Sequence, residues 1–235
     1  MHLGATKYKN SWDLQKRLFE LRSAGKVPDT LLLTEHYPVY TLGKSSNSNH
    51  LLMNESDLAA RAIDVFAVDR GGDVTYHGPG QLVGYPILDL NGFYLDIHRY
   101  LRDLEEVIVR TLDGFGVHAT RDEGFTGVWV GGDKIAAIGV KVSRWITMHG
   151  FALNVNTDLN HFDRIIPCGI FHKGVTSLER IIGSPLNMNE VERILVEKFE
   201  SVFGVACAFA APSDSVRLLQ ATTPEKERCL QVERQ

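Results

Sequence analysis

The chain has 235 residues, of which 44% are hydrophobic and 23% charged; Lys+Arg 25 against Asp+Glu 29 leaves a formal charge of −4. That length and mix describe one large domain with enough chain to bury a core, which excludes disorder, collagen-like repeats and a fold that depends on disulfides or a structural metal. The acidic balance argues against non-specific nucleic-acid binding as the main task, since that draws on a positive surface.

Cys168, Cys207 and Cys229 are odd in number, widely spaced and without a Cys-x-x-Cys pair, so neither a disulfide framework nor a zinc ribbon fits, and a reducing compartment is expected. No apolar run approaches the roughly 18 residues of a membrane helix. Met1–Lys7 lacks the apolar core of a secretory signal. The bacterial cytoplasm is the expected location; a plastid or mitochondrial protein would have to have lost a transit peptide.

In chain order, Ser11 reads as the N-cap of a first helix whose Leu14, Leu18 and Leu21 share a face before Gly25. Short β-branched or aromatic runs at Thr30–Thr34, Val39–Leu42, Asp64–Asp69, Val74–His77 and Gln81–Leu88 read as strands between Gly and Pro signals, with a short helix near Ser56. Leu101, Leu104, Val107, Ile108 and Leu112 mark a second long helix ended by Gly114. Gly127–Val130, the turn Gly131-Gly132-Asp133 and Lys134–Val142 form a hairpin, and Trp145–Val155 follows as a third strand. Val191, Ile194, Leu195 and Phe199 make a last helix before Gly204, and the polar segment after Phe209 reads as a tail. Neighbouring strands outnumber strand–helix alternations, so the expected fold is α/β with a mixed or antiparallel sheet. The expected organisation is a catalytic domain over 1–210 and a polar tail over 211–235.

Two phosphate-loop resemblances fail on spacing. Gly43-Lys44-Ser45 would need glycine where Pro38 stands, and Gly78-Pro79-Gly80 would need it where Val83 stands. No metal or cofactor is expected. The dense stretch is Arg70-Gly71-Gly72-Asp73-Val74-Thr75-Tyr76-His77-Gly78-Pro79-Gly80-Gln81, followed by Tyr85. Glycines there let backbone approach a ligand, though a Gly-rich hairpin with a buried tyrosine and a capped histidine accounts for the same residues. Lys134 opens a strand after a turn, where a solvated lysine is the ordinary outcome. Cys168 sits between Pro167 and Gly169 in a constrained turn, although buried cysteines are mostly inert packing.

The stretch from Arg70 to Tyr85 resembles the lipoyl(octanoyl) transferase family: Arg-Gly-Gly, two variable positions, Thr, an aromatic, His, then Gly-Gln and Tyr. Thr126–Val130, Lys134–Gly139, His149–Asn154 and Pro167–Gly169 match in order and spacing, so the resemblance spans roughly residues 30 to 180. It implies the fold of the biotin/lipoate protein ligase catalytic domain, a single domain with a mixed sheet flanked by helices. It also implies octanoyl transfer from acyl carrier protein to a lysine of lipoyl-carrier domains, those of 2-oxoacid dehydrogenase complexes and of the glycine cleavage H protein. By the match, Cys168 is the nucleophile and Lys134, rather than Lys141, its activating partner. The implied substrate-binding residues are Arg70, Gly71, Gly72, Asp73, Val74, Thr75, Tyr76 and His77, then Ala137, Ile138 and Gly139, then Gly150, Phe151 and Ala152.

Chemistry is consistent with that assignment. A thiolate is the best side chain for attacking a thioester, and a free thiol near pKa ~8.5 is only a few per cent ionised at neutral pH. An ammonium about 4 Å away attracts it by roughly 4 kcal/mol before desolvation, and a net ~1.4 kcal/mol lowers the thiol pKa by a unit. Oxyanion donors are expected from backbone near Cys168 or Gly78. An apolar tunnel is expected where Ala136, Ala137, Gly139, Gly150 and Ala152 leave room between Phe151 and Ile138, so a bulky residue at 150 should shorten the preferred chain. His77 and Tyr76 are expected to shape the site, Arg70 to orient its loop or meet the phosphopantetheine arm, and Lys134, Lys141, Arg144 and Lys173 to form a basic rim. The competing expectations are an ATP-dependent lipoate- or biotin-type ligase, which needs no nucleophilic cysteine, and a non-catalytic acyl-carrier-binding module.

Overall fold

Hydrophobic alternation sets the layers. The computed structural model describes residues 1–166 and 174–210, so Cys168, Lys173, Cys229 and the tail from 211 lie outside the described residues. Among the described residues, ten strands run over His2–Thr6 (β1), Thr30–His36 (β2), Val39–Leu42 (β3), Asp64–Ala67 (β4), Val74–His77 (β5), Gln81–Ile87 (β6), Thr120–Asp122 (β7), Phe125–Val130 (β8), Asp133–Ser143 (β9) and Ile146–Asn154 (β10). The α-helices are Tyr8–Ser23 (α1), Glu55–Ala60 (α2), Ile97–Asp113 (α3), Leu178–Ile182 (α4) and Met188–Phe203 (α5).

The strands form two mixed sheets rather than one: a seven-stranded sheet ordered β1-β2-β6-β10-β9-β8-β7 and a three-stranded sheet ordered β4-β3-β5. β1 runs parallel to β2, and β3 parallel to β4, while the remaining paired strands are antiparallel. β6 is buried at every position, as a central strand covered on both faces must be.

On β10, Ile146, Met148 and Ala152 pack with Leu14, Leu18 and Phe19 of α1. Phe151 and Leu153 point to the other face, against Leu104 and Ile108 of α3 and Leu195 and Phe199 of α5. The large sheet therefore lies between α1 on one side and the α3–α5 pair on the other. Tyr40, Val74 and Tyr76 of the small sheet build a separate core with Phe162 and Ile165.

α1 starts a turn earlier than expected. Lys7 is its N-cap and makes no side-chain cap, while Ser11 is inside the helix with its hydroxyl donating to Tyr8 O at 2.9 Å. A buried serine turned back on its own helix cannot serve as the cap.

Candidate active site

The residues singled out by sequence converge on a cavity of about 480 Å³ on the α1 side of the large sheet. One wall is β6, β9 and β10. The facing wall is β5 with the loop that precedes it. Period-two alternation turns Thr75 and His77 toward the space and Tyr76 away from it. Arg70 to Thr75, His77, Ala137 to Gly139 and Gly150 to Ala152 all contribute to its lining, so of the expected substrate-binding residues Tyr76 is the exception. Its ring stacks on His161 at 4.3 Å and packs against Tyr40 and Phe162. Tyr76 thus supports the small sheet and does not face the cavity.

Close backbone contact seals the two walls. Gly71 N donates to Val140 O at 2.9 Å, and a Cβ on Gly139 would stand 2.9 Å from Gly71 O. Only glycine lets the loop settle this closely on β9. The Arg70 guanidinium donates to Thr41 O and Thr41 Oγ1 at 2.8 and 2.9 Å and to Gly71 O at 3.0 Å. Of its two expected roles, these bonds favour orienting the loop. Asp73 holds the next turn, accepting from Val74 N at 2.7 Å and meeting His50 Nδ1 at 2.5 Å.

His77 is fixed in its tautomer by a chain of bonds. Gln81 Nε2 donates to Tyr76 O and Asn154 Oδ1, which leaves Gln81 Oε1 to accept from His77 Nδ1 at 2.8 Å. Complete burial lowers the His77 pKa to about 3, so the ring is neutral and its part is to shape the wall rather than carry charge. The chain continues from Asn154 Nδ2 to Thr176 O, and Thr176 N donates to Lys134 O.

Lys134 stands at one end of the cavity. Its N–H donates to Gly174 O at 2.9 Å, its Nζ lies 4.6 Å from the Trp129 ring centroid, and Gly174 and Val175 line the space beside it. A cation over an indole face is held electrostatically without losing its exchangeable protons.

The other end is polar. His149 pairs with Val140, six residues and roughly 20 Å of strand from Lys134. His149 Nε2 meets Asp69 Oδ1 at 2.8 Å, and Lys141 Nζ donates to Asp69 Oδ2 at 2.6 Å. These two partners, His149 foremost, hold the Asp69 carboxyl well below the usual range, while burial lowers the His149 pKa despite that neighbour. Lys141 is therefore engaged far from Lys134. Arg144 likewise faces Glu20 and the Phe19 ring. The expected basic rim is not one patch, because β9 carries its lysines to opposite ends; Lys173 lies outside the described residues.

Two further expectations are corrected. Ala136 does not line the cavity but is buried in the core beside α3. A Cβ on Gly150 would stand 2.2 Å from Gly84 O, inside the sheet, so a bulky residue there would break strand pairing rather than fill a tunnel. Gly78 itself is not among the lining residues, and a Cβ on it would meet the Tyr76 hydroxyl.

Sequence reasoning missed Tyr8, Leu101, Phe125 and Phe162 of the lining and the anchoring Asp69. Tyr8 stacks on His77 and Phe66 from the first turn of α1. No local pattern marks a side chain whose role arises from another element.

A family model described as the lipoyl protein ligase A/B catalytic domain matches residues 7–200. The chain belongs to that family. The octanoyltransferase of Rubrobacter xylanophilus is 55% identical over 203 residues, 86% of this chain and 91% of that one. The octanoyltransferase of Caldicellulosiruptor saccharolyticus is 46% identical over 229 residues, 97% of each. Among solved structures, a bipartite lipoate protein ligase from Thermoplasma acidophilum, described with its E2 lipoyl domain, aligns with a TM-score of 0.73 at 16% identity, over 94% of this chain and 89% of that one. At that identity the ligase shows the fold alone. Like it, this lipoyl ligase A/B family member is a single domain with mixed sheet and flanking helices. Among the described residues no helix is long and apolar enough to cross a membrane.

Proposed function

We propose that this acyltransferase, a relative of octanoyltransferases, takes an octanoyl group from acyl carrier protein, holds it as a Cys168 thioester and passes it to a lysine of a lipoyl-carrier domain. The acceptors in this reading are the lipoyl domains of 2-oxoacid dehydrogenase complexes and the glycine cleavage H protein, in the cytoplasm of a bacterium. The observation that carries it is the position of Lys134. It stands at the cavity end, and its N–H is bonded to Gly174 O, where the chain re-enters the described residues after the segment containing Cys168. The other flank is anchored too, by Ile166 N donating to His50 O at 2.8 Å.

In the resting pair Lys134 has taken the Cys168 proton, giving ammonium and thiolate. The thiolate attacks the octanoyl thioester carbon; the tetrahedral intermediate expels the carrier thiolate, which takes its proton from Lys134. The acceptor lysine, entering as a neutral amine, attacks the new thioester and gives a proton to Lys134 as Cys168 leaves. One thioester and one amine become one amide and one thiol, and the resting pair is restored. Both acyl carriers are thioesters of similar energy, so the reaction needs no ATP. The apolar part of the cavity holds the chain at about 0.8 kcal/mol per buried methylene.

The test is intact mass after mixing the protein with octanoyl carrier protein, without ATP, followed by an apo lipoyl domain. An octanoyl adduct on Cys168 that passes to the domain is the expected result. No adduct, or one that survives Cys168→Ser, overturns the covalent route, and transfer only with ATP and free octanoate would mark a ligase.

A further inference from the structure

α3 carries one fully buried acid, Glu105, on a face otherwise given to Leu104 and Ile108. Its two carboxylate oxygens have different partners. Oε2 accepts from Arg102 Nη1 at 2.6 Å and lies 3.4 Å from Arg121 Nε. Oε1 is left to accept the backbone N–H of Gly127 at 3.0 Å. An uncompensated carboxylate at this depth is strongly disfavoured, so the two arginines account for its charge and not for the contact with Gly127.

Gly127 adjoins an irregularity between β8 and β9: Val128 pairs with Ala136 but Trp129 with Lys134, so β9 carries one extra residue. Such a bulge re-aims the side chains beside it. Gly127 has φ +137°, and a Cβ on it would stand 2.8 Å from Ala136 O and 3.3 Å from Lys134 Cε. The lysine stem therefore crosses the bare backbone of Gly127 on its way to the Trp129 ring. The peptide it crosses is fixed by Glu105.

We propose that Glu105 is a positioning residue for Lys134: by holding the Gly127 N–H it fixes the surface over which the lysine stem runs, and so the place of the ammonium. This rests on the Lys134–Cys168 reading above. The alternative is a staple joining α3 to β7 and β8 that contributes stability alone.

The two differ in the pH dependence of Cys168 alkylation by iodoacetamide, followed by peptide mass in the full-length protein, with thermal unfolding recorded for each variant. Lys134→Met should move the profile to higher pH, because the thiolate loses its cation. Glu105→Met should move it the same way, slowing alkylation at pH 7 about tenfold, a shift of one pH unit. The double variant should show no shift beyond that of Lys134→Met. Glu105→Gln keeps an acceptor for Gly127 and should shift less than Glu105→Met.

A Glu105→Met protein that melts earlier but keeps the wild-type profile overturns the proposal, as does a double variant whose shifts add. If Glu105→Met does not fold, Glu105→Asp, one methylene too short for the same bond, must still shift the profile, and an unchanged one overturns the proposal. A wild-type profile in Lys134→Met removes the dyad itself, whereas a shift there with none in the Glu105 variants removes this inference alone.

Discussion

The carbonyl oxygen of Gly84 occupies the space where Gly150 would carry a side chain: a Cβ there would stand 2.2 Å from that oxygen and 2.7 Å from Pro86 Cδ. Gly150→Ala should therefore act on the β6–β10 seam, destabilising the protein by about 1–3 kcal/mol as overpacked sites do. Urea unfolding measures that loss. The ratio of hexanoyl to octanoyl transfer by the folded variant should stay at its wild-type value, and a rise in that ratio would mean the added methyl enters the cavity.

Gly139 meets the loop rather than a strand, with Gly71 O 2.9 Å and Arg70 Cδ 3.1 Å from its Cβ position. The contact at 139 is looser and borders the cavity, so Gly139→Ala should lift the Arg70–Gly72 loop. Transfer kinetics should show a KM for the octanoyl donor raised several-fold, with a smaller loss of stability than at Gly150.

The two lysines of β9 should separate cleanly in transfer assays. Lys134→Ala should reduce octanoyl transfer by about 10²–10⁴-fold, the usual worth of a positioned acid–base group. Lys141→Ala removes the Asp69 pair and should lower activity by less than tenfold. Equal losses would contradict the assignment of roles.

Acid stability should report the buried rings. Burial lowers the His36 pKa to about 4 and the His77 pKa to about 3. Both lie below the ordinary value near 6.5, so on acidification the unfolded chain takes up protons that the folded one refuses. Their stabilisation is complete above pH 6.5 and is lost as pH falls toward these values. Between pH 6.5 and 5 each ring should account for about 2 kcal/mol, read from urea unfolding at the two pH values. A flat profile would show that the rings are not held neutral.

Much of this was legible in the residues because local chemistry dictates it. Val39–Leu42 and Val74–His77 are strands with the expected limits, and Gly131-Gly132 turns β8 into β9, although Asp133, expected in the turn, pairs with Val130 as the first residue of β9. The long helices of Leu104 and Leu195 follow from their apolar stripes and Gly stops. β1 was not legible, since His2–Thr6 lacks alternation and is held by parallel pairing to Leu33, Glu35 and His36. Nor was the split into two sheets, which depends on which distant strands find each other. In the site, glycine-rich motifs marked the lining, but alternation sends Tyr76 away from it. Glu105 carries no local signal at all, because its partner Gly127 lies 22 residues along the chain.

The cavity is a seam, with one wall on the seven-stranded sheet and the other on a separate three-stranded one joined to it through Gly71 and Tyr8. An acyl chain lodged there would touch both layers at once and act as mortar between them. Occupancy should then slow amide hydrogen exchange in β3 and β5, which lie outside the large sheet, and a carrier arriving with its cargo would meet a stiffer enzyme than one arriving empty.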